Sequence, residues 1–143
     1  MKSGRGAAKE LEVDVDWDQW AERFEQASGP DEFAGLFAEG GTFCDPVTPW
    51  TTDVRAVAVQ TEKIFPDWKS RVDRVLSGDG WAVFEWTGTG TFHSGEDGSK
   101  GVPIVMQGAT VVEVNSDGKV TRWRDYLDTN EPIQQIQAAQ RAG

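Results

Sequence analysis

The chain has 143 residues, 38% hydrophobic and 27% charged, which suits one soluble domain with one core and is too short for two ordinary domains. Its 24 acidic against 14 basic residues give a formal charge of -10, which argues against nucleic acid and anionic membranes as partners. No apolar run approaches the roughly 20 residues needed to cross a bilayer, one cysteine leaves no intramolecular disulfide, and one histidine leaves little for a metal centre, so a cytoplasmic protein without cofactor or metal is expected.

Met1 to Lys9 has no apolar periodicity and nothing resembling a signal peptide. Residues 1–12 read as a flexible tail and residues 13–143 as a single domain. Trp17, Trp20, Ala21 and Phe24 recur at helical spacing after the cap residue Asp16, and Gly29-Pro30 ends that helix. A second helix is predicted from Asp31, with Phe33, Ala34, Phe37 and Ala38 on one side and Gly40-Gly41 as its stop. Thr42 to Cys44 then form a short strand that runs into the Asp45-Pro46 turn. A third helix follows a cap at Thr52 or Asp53, carries Val54, Val57, Ala58, Thr61, Ile64 and Phe65, and closes at Pro66.

Beyond Pro66 the period changes from that of helices to that of strands. Trp68–Leu76, Trp81–Phe92, Val102–Val114 and Val120–Leu127 are rich in Val, Trp, Phe and Thr and are separated by Gly, Asn and Asp turns. A weakly apolar last helix begins at Thr129. Helices first and antiparallel strands second predict an α+β fold with the helices packed on one face of a curved sheet.

This order of elements, with Phe43-Cys44-Asp45-Pro46 after the second helix and Trp123-Arg124-Asp125-Tyr126-Leu127-Asp128 on the last strand, resembles the nuclear transport factor 2-like superfamily. Within it the chain is most similar to the SnoaL-like polyketide cyclases, limonene-epoxide hydrolase and ketosteroid isomerase. The resemblance implies a cone, with N-terminal helices and a strongly curved mixed or antiparallel sheet enclosing an apolar pocket. It also implies homodimers joined through the outer sheet face. Asp45 falls where the isomerase keeps its proton-abstracting aspartate, and Asp125 where the hydrolase and the cyclases keep an acid/base aspartate. The departures are equally specific. The hydrolase's Arg-x-Asp pair would fall near Trp86 and Gly88, the isomerase's oxyanion tyrosine near Phe24 and its protonated aspartate near Thr110. Neither catalytic set is intact.

Strand alternation indicates independently which residues share a face with Asp125. If Asp125 points inward, so do Trp123 and Leu127, while Arg122, Arg124 and Tyr126 point outward. Met106, Gly108, Thr110, Val112 and Val114 share that inner side on the preceding strand, and Phe84, Trp86 and Gly88 on the one before. The chain carries 7 Trp and 7 Phe against 1 Tyr, and a wall of this kind accounts for part of that imbalance. Trp123, Trp86, Phe84, Met106, Gly108, Thr110, Leu127, Phe24 and Phe43 are therefore the expected substrate contacts, with Asp125 and Asp45 as the catalytic pair.

Structural readings stand beside these. Asp45 suits a side-chain-stabilised turn as well as a pocket, and Asp125 beside Arg122 and Arg124 suits a solvated ion-pair face. Cys44 reads as a small buried hydrophobe and His93 as a surface residue at a strand end. Trp17, Trp20 and Phe24 suit helix-to-sheet core, Tyr126 a dimer face, and Asp14, Asp16 and Asp18 a solvated helix start. Two functions follow. One is a cofactor-independent enzyme of the isomerase, cyclase, dehydratase or epoxide hydrolase type, using aspartate acid/base chemistry on a small hydrophobic polyketide-, terpenoid- or steroid-like molecule. The other is a non-catalytic ligand-binding or assembly protein of the same fold.

Overall fold

The computed structural model describes residues 14–96, 98 and 100–142. The expected N-terminal tail, residues 1–12, lies outside the described residues. The chain runs α1(Trp17–Gln26), α2(Gly29–Ala34), β1(Phe37–Asp45), β2(Thr48–Thr51), α3(Val54–Ile64), β3(Lys69–Gly78), β4(Trp81–Phe92), β5(Val102–Val114), β6(Val120–Leu127) and α4(Asn130–Ala142). The strands form one six-stranded sheet in the order β2-β1-β6-β5-β4-β3. Only the β1–β6 pairing is parallel, so the sheet is mixed, as expected for an α+β cone. Register shifts in β1, in β3 at Val72/Arg74 and at the β5–β6 pairing supply local bends that a flat sheet would lack.

Asp16 caps α1 by accepting from the Gln19 amide at 3.1 Å, and Asp53 caps α3 by accepting from the Ala56 amide at 3.2 Å. The long strands β4, β5 and β6 occupy the predicted spans. Two features differ from expectation. The second helix stops at Ala34, and Phe37 and Ala38 belong to a nine-residue strand. Phe37 pairs with Val120, and the Val120 amide donates to the Leu36 carbonyl at 2.9 Å, so long-range pairing with β6 outweighs a helical apolar pattern of a few residues. The glycine pair expected to stop a helix instead bends this strand. Gly40 has φ +76°, and a Cβ on Gly41 would lie 2.5 Å from the Val120 carbonyl oxygen. The second difference is β2, which was not expected. It folds back antiparallel on β1 after the Asp45 turn, and its Pro49 is tolerated because β2 is an edge strand.

Alternate residues of the long strands face the helices and are buried: Ala82, Phe84 and Trp86 on β4, Ile104, Met106, Thr110, Val112 and Val114 on β5, Val120 and Trp123 on β6. Trp20 and Ala21 of α1, Leu36, Phe37 and Phe43, and Val54 of α3 complete this core. Glu25 ties α1 to the sheet by accepting from the Val72 amide at 2.6 Å, at the bulge of β3.

β6 pairs with β5 only from Gly108 onward, which leaves residues 102–107 of β5 without a strand on that side. α4 supplies the missing partners. The Gln135 side chain accepts from the Val105 amide at 2.9 Å and donates to the Val105 carbonyl at 2.6 Å, and Glu131 accepts from the Gln107 amide at 2.7 Å. Gln135→Ala is expected to speed hydrogen exchange at the Val105 amide by about tenfold, measured by amide exchange in D2O.

Candidate active site

Asp125 sits near the C-terminal end of β6, directly across from Thr110 in the β5 register. Two side chains bond it directly, and a third stands behind one of them. Trp123, two residues earlier on the same face, donates its indole N–H to Asp125 Oδ1 at 2.8 Å. The Thr110 hydroxyl donates to the same oxygen at 2.6 Å, and the indole N–H of Trp86 donates to Thr110 Oγ1 at 2.8 Å. An indole nitrogen can only donate. Both ends of this chain therefore have a fixed sense, and Oδ1 receives two hydrogens.

Asp125 is half-buried, and the packing around its carboxyl is tight enough to matter electrostatically. Desolvation is the largest influence and raises its pKa from 3.8 to about 6. The hydrogen bonds from Thr110 and Trp123 work against that rise by stabilising the charged form, and the charge of Asp45 adds a smaller upward push. No ion pair involves Asp125 among the described residues. Arg122 instead pairs with Glu113 at 3.5 Å and stacks on Trp50, and Arg124 lies over Tyr126 with its guanidinium carbon 4.8 Å from the ring centroid. The outward direction predicted for these residues matches their placement.

Asp45 combines the two readings given to it. Its Oδ1 accepts from the Val47 amide at 2.9 Å and the Thr48 amide at 2.7 Å, closing the turn between β1 and β2. The same residue borders a cleft of about 520 Å³ lined by Asp45, Pro46, Arg124, Asp125, Tyr126, Leu127 and Asp128. A smaller depression of about 200 Å³ lies elsewhere, at the start of α1, between Asp16, Gln19 and Arg23 and the β5–β6 turn. Of these two, the larger cleft is the chemically relevant one, because Asp125, whose carboxyl has raised proton affinity, is among its lining residues.

The structure thus brings Asp45, Asp125 and Leu127 together at one opening. The other expected contacts lie behind it. Phe84 is fully buried, stacked against Trp20 at 5.4 Å and Phe24 at 5.5 Å between ring centroids. Trp123 is packed by Phe24, Phe33, Phe37 and Phe43. Met106 and Trp86 are buried, and Gly108 lies opposite Trp86, where a Cβ would come within 2.5 Å of the indole. Aromatic side chains from α1, α2 and β1 thus occupy much of the space between helices and sheet. Arg124, Tyr126 and Asp128 also border the cleft, although alternation places Arg124 and Tyr126 on the outer face. Thr110 was expected as wall. Its hydroxyl donor role follows from a register that composition and periodicity do not carry.

Among the described residues no three His, Cys, Asp or Glu side chains are grouped as metal ligands, and no helix is long and apolar enough to cross a membrane. Cys44 is buried and free. His93 is half-buried at the end of β4, where its amide donates to the Ile64 carbonyl at 2.9 Å.

Comparison with known proteins agrees with this architecture. A phenazine biosynthesis-related protein from Pseudomonas aeruginosa superposes with a TM-score of 0.68 at 20% identity, over 84% of this chain and 84% of that one. A protein with a ketosteroid isomerase-like fold from Catenulispora acidiphila, solved with trimethylamine, gives 0.69 at 16% identity, over 86% and 92%. An LEH-like epoxide hydrolase from M. tuberculosis gives 0.63 at 16% identity, over 84% and 88%. At such identities the likeness speaks for the fold and leaves the chemistry to the residues. No curated protein sequence matches the chain significantly. A family model described as a SnoaL-like domain matches residues 17–123, from the first residue of α1 to the tryptophan that holds Asp125. Since that match spans most of the chain and the sheet and helices are those of its structural neighbours, the chain belongs to the SnoaL-like domain family.

Proposed function

We propose that this protein is a cofactor-independent enzyme in which Asp125 exchanges a proton with a small, neutral, hydrophobic substrate of polyketide, terpenoid or steroid type. One observation carries the reading. Asp125 has one oxygen held by two donors, a pKa near neutrality and a place on the cleft. At pH 7 such a carboxyl is mostly ionised yet basic enough to remove a proton from a weak carbon acid, and the acid so formed can return it at another atom. Asp45 acts from the neighbouring strand β1, on the same cleft. Desolvation is what raises the proton affinity of Asp125, and the charge of Asp45 adds a small further push, while its turn-forming bonds through Oδ1 hold it in place. Isomerisation, ring closure, dehydration and epoxide opening by water all use this transfer.

The reading extends to the assembly and its location. We propose a cytoplasmic homodimer joined through the outer sheet face, where Trp50 and Tyr126 are exposed. Light scattering should give twice the mass of the chain, and the chain's own mass would refute the dimer.

The test is deuterium wash-in. A panel of small cyclic ketones, β-dicarbonyl compounds and epoxides is incubated with the protein in D2O and followed by NMR. Catalysed exchange or turnover is expected to fall as pH drops through about 6, and to fall at least about 100-fold in Asp125→Asn. Compounds that bind in the cleft but react at equal rates with both proteins would establish the carrier reading instead.

A further inference from the structure

We infer that Thr110 and Trp86 are positioning residues for Asp125: together they form a two-link hydrogen-bond relay that keeps Oδ1 as an acceptor and leaves Oδ2 as the oxygen that exchanges the proton. The inference rests on the reading of Asp125 as the acid/base group and adds which atom acts and what selects it.

The relay has one possible sense. The Trp86 indole contributes a hydrogen and nothing else, so it occupies a lone pair of Thr110 Oγ1 at 2.8 Å. Thr110 is fully buried and Trp86 nearly so, and solvent offers the hydroxyl no rival partner. Its single hydrogen is then directed at Asp125 Oδ1, and the 2.6 Å separation is that of a hydroxyl bonded to a charged oxygen. Trp123 presents a second hydrogen to the same atom at 2.8 Å. A proton placed on Oδ1 would crowd these two donors, whereas Oδ2 makes no hydrogen bond among the described residues.

Trp86 is itself held in place. Its indole packs over Gly108, where any Cβ would intrude, and meets Trp68 edge-on at 6.2 Å and 84°. Trp68 is fixed in turn by donating its N–H to Ser70 Oγ at 3.0 Å. The position of the relay is thus set by packed rings. Such packing suits a group whose task is to keep one oxygen occupied through a reaction cycle.

The test needs no substrate. In protein labelled at the aspartate carboxyl carbons and the indole nitrogens, NMR titration is expected to give Asp125 a midpoint near 6, with the Trp86 and Trp123 indole signals shifting at the same midpoint. Thr110→Val removes a bond to the charged form, so the Asp125 midpoint should rise by about one pH unit and the Trp86 signal should cease to follow it. Thr110→Ser should restore both. Trp86→Phe should raise the midpoint less, and should have no further effect in the Thr110→Val background. It also reads the relay from its other end should the valine variant not fold. A wild-type midpoint in the ordinary carboxylate range would refute the acid/base reading itself. A raised midpoint indifferent to both Thr110→Val and Trp86→Phe, or unrestored by serine, would refute the relay alone.

Discussion

Asp125→Asn is expected to give a protein that melts several degrees higher than the parent at pH 8 while losing its proton-transfer activity. The folded carboxyl has a pKa of about 6 against an ordinary 3.8, so the folded state binds its proton more tightly than the unfolded chain does. Stability from this group is intact below about pH 4 and falls as pH rises towards 6. Above 6 the full cost of burying the charge is present, about 3 kcal/mol. Asparagine keeps a carbonyl oxygen for Thr110 and Trp123 and carries no charge, so that cost vanishes. The measurement is the difference in unfolding free energy between the two proteins from pH 4 to pH 8, by urea titration. Taking the difference cancels Asp67 and Asp73, whose lowered pKa values tilt both proteins the other way as pH falls: Thr91 holds the first by hydrogen bonds, Thr87 and Arg71 the second. A difference that stays flat across this range would mean that Asp125 is not desolvated. The catalytic proposal would then lose its physical basis.

The second large effect is structural. Phe84→Ala is expected to cost about 3–5 kcal/mol, read from the urea midpoint. Phe84 is fully buried near the start of β4, with Trp17, Trp20 and Phe24 around it, and rigid rings of this size cannot close over the vacated volume. The variant should also gain affinity for a benzene-sized apolar guest, because the ring now fills space that neighbouring side chains would only line. A cost under about 1.5 kcal/mol would show that the helices collapse onto the sheet after all.

These two residues also mark how far the sequence could be read. The spans of β4, β5 and β6 followed from alternation and glycine turns, because long strands with one buried face repeat the signal many times over. The same alternation set Trp123, Thr110, Trp86 and Asp125 on one face. It could not tell a lined cavity from a filled one: Phe24 and Phe84 are apolar and inward under either description, and only the separation between α1 and β4 decides. The α2–β1 boundary differs from the local pattern because Phe33, Ala34, Phe37 and Ala38 fit a helix as well as they fit what forms, and the parallel partner that settles the matter lies over eighty residues further on, at Val120. β2 is four residues long, contains a proline and has no alternation to detect. At the site, Asp45 and Asp125 were legible from short motifs. The relay was not, because it depends on Thr110 lying opposite Asp125, a register that no local pattern encodes.

The bond pattern between Gln135 and Val105 bears on solubility. By presenting an amide that accepts and donates as a peptide group would, α4 blunts the one stretch of β5 at which a foreign strand could add. Detaching this helix would remove Ile136 from the margin of the core and expose residues 102–107, Val-Pro-Ile-Val-Met-Gln, as an adhesive apolar edge. The damage would appear first as self-association, well before any loss of fold.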